Sequence, residues 1–314
     1  MEIRTMGRSG LAVSLAGMGC NTLGWWVDEA QGIKVVRAAR DAGVALFDTA
    51  DCYDDGVSET ILGKALGKAR QDAVIVTKFG MKTNFARPNA RRGGRDHVIA
   101  SCEGSLKRLK TDWIDLYLHH APDDVTPIEE TLEALDRLIA AGKIRYAGCS
   151  NYAGWQIADA AWTAHDRRLQ PFVAAQSEWN LFSRAIEDEV VPAARRFGLG
   201  VMPYFPLAMG LLSGKYSRDR RPAKSTRLAG DDPRYAAMLS EANFDRVDRL
   251  EAFAAAHGHS LLELAIGWLA SHDVVSTVIC GATRPAQVRA NAAAVTAWRM
   301  SADEMAQVDA LMAG

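Results

Sequence analysis

Three side chains in the first quarter of the chain, Asp48, Tyr53 and Lys78, are of types that together can transfer a proton. Asp48 directly follows the apolar run 43–47, and Tyr53 comes five residues after it. Lys78 directly follows a second apolar run, 73–77, thirty residues beyond Asp48. If both runs are neighbouring buried strands, the Lys78 ammonium is expected to lower the pKa of the Tyr53 phenol, and the Asp48 carboxylate to keep Lys78 charged. On these residues alone, a structural salt bridge between Asp48 and Lys78 is the alternative.

Eight short apolar runs alternate with helical patterns, and they predict the elements that hold these residues. The runs lie at 14–19, 44–47, 74–77, 114–118, 146–149, 173–175, 200–203 and 277–279. Nearly continuous apolar strands indicate burial on both faces, as in a parallel sheet covered by helices. We therefore predict an α/β fold, a (β/α)8 TIM barrel. An open doubly wound sheet is the rival fold, but residues 17–24 miss the G-x-G-x-x-G spacing that such a sheet normally shows after its first strand.

Two long loops, at 80–95 and 207–234, interrupt this alternation. Both follow the carboxyl ends of predicted strands, the face on which barrels carry their active sites, so we expect binding loops or lids there. Residues 1–13 contain a turn at 8–10 and are expected to form a small β-hairpin outside the barrel. No linker divides the sequence, which predicts a single domain over residues 1–314.

Composition and charge argue against several classes of protein. The chain has 37 basic and 38 acidic residues and a net charge of −1, a balance that disfavours binding to nucleic acid or to an anionic membrane. Its five cysteines form no C-x-x-C pair, which indicates a reducing compartment. The first residues lack the pattern of a signal peptide, and no apolar run approaches the length of a membrane span. We therefore expect a soluble, cytoplasmic protein.

Nearly every predicted strand is followed by a polar or aromatic residue, so one mouth of the barrel would collect them. These residues are Asn21, Asp48, Lys78, His120, Ser150, Asn151, Gln176, Tyr204 and Gly281. They belong to motifs that begin with Phe47-Asp-Thr-Ala-Asp-Cys-Tyr53 and Thr77-Lys78 and continue at 115–123, 142–151, 176–181, 206–215 and 281–291. With these motifs the chain resembles the aldo-keto reductase family over essentially its full length. It is most similar to the bacterial and potassium-channel-β-subunit-like branches.

The resemblance implies an NADP(H)-dependent oxidoreductase that transfers a hydride between nicotinamide and a carbonyl or alcohol. Tyr53 would be the general acid, Lys78 would depress its pKa, Asp48 would pair with Lys78, and His120 would orient the carbonyl oxygen. The family pattern places its histidine two residues before Pro122, which selects His120. Adjacent residues of a strand face opposite ways, so we expect His119 to be packed away from the mouth.

The resemblance also assigns the cofactor to one continuous groove. Its residues would be Ser150, Asn151 and Gln176 at the carboxamide, Tyr204 stacked on the nicotinamide, Phe205, Pro206, Leu207, Gly210, Leu212 and Lys215 towards the pyrophosphate, Arg227 over the phosphates, and Gly281, Thr283, Arg284, Gln287 and Asn291 at the adenosine end. A loop arginine without a ligand is the alternative for Arg227. Thr283 and Arg284 could hold a 2′-phosphate, which favours NADPH over NADH. Ala290 stands where the family commonly has a glutamate, so we expect weaker anchoring of the adenine.

Aromatic residues near the predicted mouth indicate an apolar substrate pocket. They are Trp25, Trp26, Phe79 and Trp179, together with Phe85 and Phe182. Such a lining suits an aldehyde, a ketone or a sugar-like substrate, and simple packing of the loops is the alternative for about half of them.

Two other functions compete with catalysis by hydride transfer. A nucleotide-binding regulatory subunit would have no need of a complete proton-transfer set. A metal-dependent hydrolase would need several His and Asp residues at strand ends, where only Asp48 and His120 qualify, so we expect no metal.

Overall fold

The computed structural model describes residues 1–84, 91–218, 223, 227–230 and 232–313. Two short antiparallel strands, β1 (Ile3–Thr5) and β2 (Ala12–Ser14), form the predicted hairpin, with Ile3 opposite Ser14. Met6, Leu11 and Val13 of this hairpin region pack against the side chains that fill the barrel interior. The hairpin thus closes one end of the barrel and leaves the other end as its mouth.

Eight parallel strands close into a barrel in the order β10-β3-β4-β5-β6-β7-β8-β9. They are β3 (Ala16–Gly19), β4 (Leu46–Asp48), β5 (Val74–Phe79), β6 (Ile114–His119), β7 (Ile144–Ser150), β8 (Ala174–Glu178), β9 (Gly200–Tyr204) and β10 (Val278–Gly281). Each coincides with one of the eight predicted runs to within a few residues. The predicted (β/α)8 barrel with an N-terminal hairpin is therefore confirmed.

Helices surround the barrel and bury its outer face. They are α1 (Glu29–Asp41), α2 (Val57–Leu66), α3 (Arg95–Leu109), α4 (Ile128–Ala140), α5 (Gly154–Arg167), α6 (Val190–Phe197), α7 (Pro233–Met238), α8 (Glu241–Ala256), α9 (Leu261–Ser271), α10 (Pro285–Ala297) and α11 (Ala302–Ala313). In α4, Leu132, Leu135 and Leu138 recur at helical spacing and are buried. Gly142 has a φ of +70° just past its end, a conformation that favours glycine there.

The two long connections at the mouth follow β5 and β9, as predicted. Arg95 already belongs to α3, and α7 begins at Pro233, so both loops are slightly shorter than the sequence suggested. The second connection contains two short 3-10 turns, Ala208–Ser213 and Arg227–Ala229. Phe85 lies outside the described residues.

Candidate active site

Strand alternation sets which side chains reach the mouth. Leu46 and Val76 fill the barrel interior, and Asp48 and Lys78 come two residues after them on β4 and β5. Leu118 also faces the interior, and two residues later His120 follows β6. The apolar floor and the polar mouth are therefore successive layers of the same strands.

Lys78 lies at the centre of a buried polar cluster. Its Nζ atom donates to Asp48 Oδ2 over 2.9 Å, to the carbonyl oxygen of Thr49 over 2.8 Å and to the Tyr53 hydroxyl over 3.2 Å. Lys78 has no exposed surface, and Asp48 is 3% exposed. The structure thus brings together the three residues from which the sequence argument began, and an amine with all three protons engaged has one fixed position.

A strained turn holds Tyr53 over Lys78. Asp54 and Asp55, directly after the tyrosine, both have left-handed backbone conformations, with φ of 49° and 47°. Such conformations typically cost about 1 kcal/mol or more for residues with a side chain and persist where neighbouring contacts impose them. Asp55 accepts hydrogen bonds from both the backbone and the side-chain amide of Asn84, in the loop after β5. The turn that aims Tyr53 is therefore tied to a loop at the mouth.

Burial outweighs the effect of Lys78 on the tyrosine. Desolvation raises the pKa of Tyr53 to about 12, and the Lys78 ammonium lowers it by less than burial raises it. For Lys78, burial opposes the charged form, but Asp48 and Tyr53 more than offset it and hold the pKa of Lys78 well above its ordinary value. Lys78 thus lowers the pKa of Tyr53 as expected, but burial keeps the net pKa above its ordinary value in the protein without ligand. At neutral pH the phenol keeps its proton beside a charged lysine.

His120 and His119 have the separate positions expected of them. The His120 ring meets Tyr53 edge to face, with centroids 5.8 Å apart, and its Nδ1 atom lies 3.6 Å from the sulfur of Cys52. Burial, Lys78 and His119 hold the pKa of His120 well below its ordinary value, so the ring is neutral at pH 7. His119 instead stacks on Phe79 and hydrogen-bonds to the Tyr152 hydroxyl, 2.8 Å away, outside the barrel wall.

The side chains predicted at the carboxamide form one network with the catalytic candidates. Gln176 donates from Nε2 to Asp48 Oδ1 over 2.9 Å. Asn151 donates from Nδ2 to the carbonyl oxygen of His120 over 2.9 Å and to Ser150 Oγ over 3.2 Å, and its Oδ1 accepts from the Tyr204 hydroxyl. Amide groups offer both donors and acceptors, as a carboxamide requires, so this set fits a nicotinamide.

The connection after β9 bends sharply next to Tyr204. Phe205, Ala208 and Met209 have positive φ values, and so does Gly210, at +105°. A Cβ atom on Gly210 would lie 3.0 Å from Lys215 Nζ, so the glycine lets the lysine approach the backbone. The other residues predicted in this stretch are Pro206, at the turn, Leu207, half-buried, and Leu212, whose side chain is fully buried in the core. Leu212 therefore has only its backbone to offer a ligand.

Arg227 lies over the Phe205 ring, with its guanidinium carbon 5.0 Å from the ring centroid. This contact places the arginine back beside the β9 connection, as a residue that folds over the cofactor would require. Burial lowers the pKa of Arg227 relative to its ordinary value.

The predicted adenosine end is built around Gln287 at the start of α10. Its Oε1 atom accepts from the backbone amides of Thr283 and Arg284 and from the Thr283 hydroxyl, over 2.9 to 3.1 Å. Asn291 donates to the carbonyl oxygen of Gly281 over 3.3 Å. The Arg284 side chain is exposed and forms no ion pair with the described residues. An available cation next to a helix N-terminus suits a phosphate group.

The aromatic pocket needs correction. Phe79 follows Lys78 and so faces the surrounding helices, where it is fully buried against Tyr117 and His119. Trp179 is 1% exposed and packs against Trp268 of α9. Neither side chain has surface for a substrate, so both predictions for a substrate pocket are wrong.

Trp25 and Trp26 are the two predicted pocket residues that are exposed. Trp25 is 75% exposed and Trp26 is 38% exposed, with ring centroids 6.0 Å apart. They stand on the connection after β3. Asn84 was not predicted at the site, and its one signal in the sequence was its place in the loop after β5.

The similarity of this chain to known proteins agrees with the geometry of the site. A sequence model described as "Aldo/keto reductase family" matches residues 16–313. The chain belongs to the aldo/keto reductase family. It is therefore a member of a family of nicotinamide-dependent oxidoreductases that act on small carbonyl compounds.

Three curated relatives illustrate the range of names within the family. A rice protein (Oryza sativa subsp. japonica) named "Probable voltage-gated potassium channel subunit beta" is 38% identical, over 93% of this chain and 90% of its own. "Probable aldo-keto reductase 1" of Glycine max is 35% identical, over 89% of this chain and 80% of its own. "Aldo-keto reductase YhdN" of Bacillus subtilis (strain 168) is 32% identical, over 99% and 94%.

The described residues include neither a membrane-spanning helix nor a metal-binding cluster. No helix among them is long and apolar enough to span a membrane. No group of three or more His, Cys, Asp or Glu side chains in the same part of the chain is arranged to hold a metal ion.

Proposed function

We propose that this aldo/keto reductase is an NADP(H)-dependent enzyme that interconverts an aldehyde, ketone or sugar-like carbonyl with its alcohol, with Tyr53 as general acid and base. The observation that carries the proposal is the hydrogen bond of 3.2 Å between Lys78 Nζ and the Tyr53 hydroxyl, with Asp48 on the same ammonium. A salt bridge between Asp48 and Lys78 that served only stability would not require the Tyr53 hydroxyl as a further partner of the ammonium.

In carbonyl reduction, a nicotinamide held at this mouth would supply the hydride for the carbonyl carbon. Tyr53 donates its proton to the carbonyl oxygen as that oxygen gains negative charge. Lys78 stabilises the phenolate that remains, and Asp48 keeps Lys78 charged and in place. The neutral His120 ring donates a hydrogen bond to the same oxygen, which fixes the orientation of the carbonyl.

The cofactor would be held by polar and charged groups at the mouth. Ser150, Asn151 and Gln176 supply the donors and acceptors for the carboxamide. Lys215 supplies positive charge near the backbone turn at Gly210. The exposed cation of Arg284 supports NADP(H) over NAD(H), because the 2′-phosphate is what distinguishes the two.

The test is Tyr53→Phe, which removes the proton donor and keeps the ring. We expect turnover with NADPH and a reactive aldehyde to fall by about 10²- to 10⁴-fold, while NADPH still quenches tryptophan fluorescence with nearly the wild-type Kd. Tyr146→Phe is a matched control, because Tyr146 lies at the other end of the barrel, with its hydroxyl near Gly10. A Tyr53→Phe enzyme with the wild-type rate would exclude Tyr53 as the acid.

A nucleotide-binding regulatory subunit is the second candidate, because relatives with up to 38% identity have channel β-subunit names. The complete set of Asp48, Tyr53, Lys78 and His120 favours the enzyme. A panel of aldehydes, ketones and sugars with NADPH separates the two functions. Tight NADPH binding without turnover of any member would favour the regulatory subunit.

A further inference from the structure

Cys52 contacts the histidine of the proposed active site. Its sulfur lies 3.6 Å from Nδ1 of His120, a distance at which sulfur hydrogen-bonds. The cysteine directly precedes Tyr53, and the strained turn after the tyrosine fixes both residues. The backbone of His120 is held on both sides: its amide donates to the carbonyl oxygen of Phe79, and its carbonyl oxygen accepts from Asn151. The ring itself packs edge to face against Tyr53.

A neutral imidazole carries one proton, and its position decides what the ring can do. With the proton on Nδ1, the other nitrogen, Nε2, would be an acceptor and would repel the lone pairs of a carbonyl oxygen. With the proton on Nε2, the ring donates to that oxygen. Among the described residues, no group hydrogen-bonds to Nε2 of His120, and Cys52 is the one side chain that hydrogen-bonds to the ring, so the thiol is placed to influence which form is populated.

We propose that Cys52 is a positioning residue: its thiol donates to Nδ1 of His120 and thereby keeps the ring proton on Nε2, where it can meet a carbonyl oxygen. The inference deepens the proposed reductase function and rests on it only for the kinetic consequence. The position of the proton is a property of the protein without substrate.

The electrostatic surroundings allow this direction of donation. Burial, and then Asp51, raise the pKa of Cys52 to about 12, so sulfur keeps its proton at pH 7. Burial, Lys78 and His119 lower the pKa of His120 well below its ordinary value, so the ring is neutral. A protonated thiol beside a neutral imidazole can act as the donor, whereas a thiolate could only accept.

The direct test is ¹⁵N NMR of histidine-labelled protein, which distinguishes a protonated ring nitrogen from an unprotonated one. We expect His120 to show the Nε2–H form in the wild type. Cys52→Val keeps a side chain of similar shape without a donor, and it should shift the Nδ1 resonance and mix in the Nδ1–H form. Cys52→Ser should restore the wild-type pattern. Cys102→Ala removes another thiol, on the outer helix α3, and should leave the His120 resonances unchanged.

The kinetic test asks whether the proton position matters for turnover. Cys52→Val should lower kcat for carbonyl reduction by about three- to tenfold, the effect of losing one hydrogen bond. The Kd for NADPH should not change, and the isotope effect with deuterated cofactor should increase because the chemical step is slower. Cys52→Ser should recover most of the rate.

The outcomes separate this inference from the proposed function. An Nδ1–H ring in the wild type, or identical His120 resonances in Cys52→Val, would overturn the role of Cys52 whatever the rates are. A protein that turns over no carbonyl would overturn the enzymatic function, but the NMR pattern would still decide which residue holds the His120 proton.

Discussion

Asp51, two residues before Tyr53, gives a stability prediction that depends on pH. Its side chain has no exposed surface, and neither carboxylate oxygen has a hydrogen-bond partner in the described part of the chain. Burial and the nearby Glu59 carboxylate raise the pKa of Asp51 to about 7, against the attraction of Arg108. Asp51→Asn replaces this carboxyl with a group that never ionises, so we expect the variant to lose less stability than the wild type as pH rises.

The sign and the size follow from the two pKa values. The folded protein holds the Asp51 proton more tightly than the unfolded chain, whose value is near 3.8. The folded state is therefore favoured at low pH and loses this advantage as pH rises from about 4 through about 7. At about 1.4 kcal/mol per pKa unit, the loss approaches about 4 kcal/mol at pH 8, and about 2–3 kcal/mol of it falls between pH 5 and pH 8.

Urea unfolding at pH 5 and pH 8, followed by both circular dichroism and tryptophan fluorescence, measures this loss. The asparagine amide adds buried donors with a cost of about 1–3 kcal/mol, but that cost is the same at both pH values. The pH dependence, and not the absolute stability, is therefore the result to compare. Asp159→Asn, at an exposed position on α5, is the control and should match the wild type. Equal pH dependence in Asp51→Asn and the wild type would refute the reasoning.

Two further predictions concern the cofactor and the direction of the reaction. Arg284→Ala should weaken NADPH by about 10- to 100-fold, the worth of one charge-assisted hydrogen bond, and NADH by less than about twofold. Fluorescence titration measures both, and equal losses would mean that Arg284 does not contact the 2′-phosphate. Because the pKa of Tyr53 is about 12, alcohol oxidation should accelerate about tenfold per pH unit from pH 7 to 10, while reduction stays nearly constant. A plateau of oxidation near pH 8 would show that another group is the base.

Much of the fold followed from hydrophobic patterning. Parallel strands buried on both faces give apolar runs, such as 74–77 and 114–118. Helical patterns on either side of these runs identify them as strands. The ends of loops were less certain. Arg95 begins α3 instead of ending the preceding loop, because a polar residue suits the first turn of a helix as well as it suits a loop.

Site residues could be predicted where their place at a strand end determines which way the side chain points. They could not be predicted where the packing of neighbouring side chains determines it. Asp48 and Lys78 lie at the interior register near the ends of β4 and β5, and His120 follows β6 at the same register, a pattern that the sequence shows. Phe79 and Trp179 were misplaced, because an aromatic residue near a strand end can face either the mouth or the helices. The net rise in the pKa of Tyr53 was also missed, since it depends on the depth of burial and not on which residues are present.

The ion pair and the two neutral rings at the mouth explain how the buried site is stable without a substrate and is still arranged to stabilise a transition state. Asp48 and Lys78 form an ion pair at 2.9 Å, while Tyr53 and His120 are neutral, so the attraction between the paired charges offsets the cost of burying Lys78. In the proposed reduction, negative charge would move from the substrate oxygen to the phenol, next to an ammonium that is already in place. The protein then has no reorganisation to perform, because the partner of the new charge was positioned when the barrel folded.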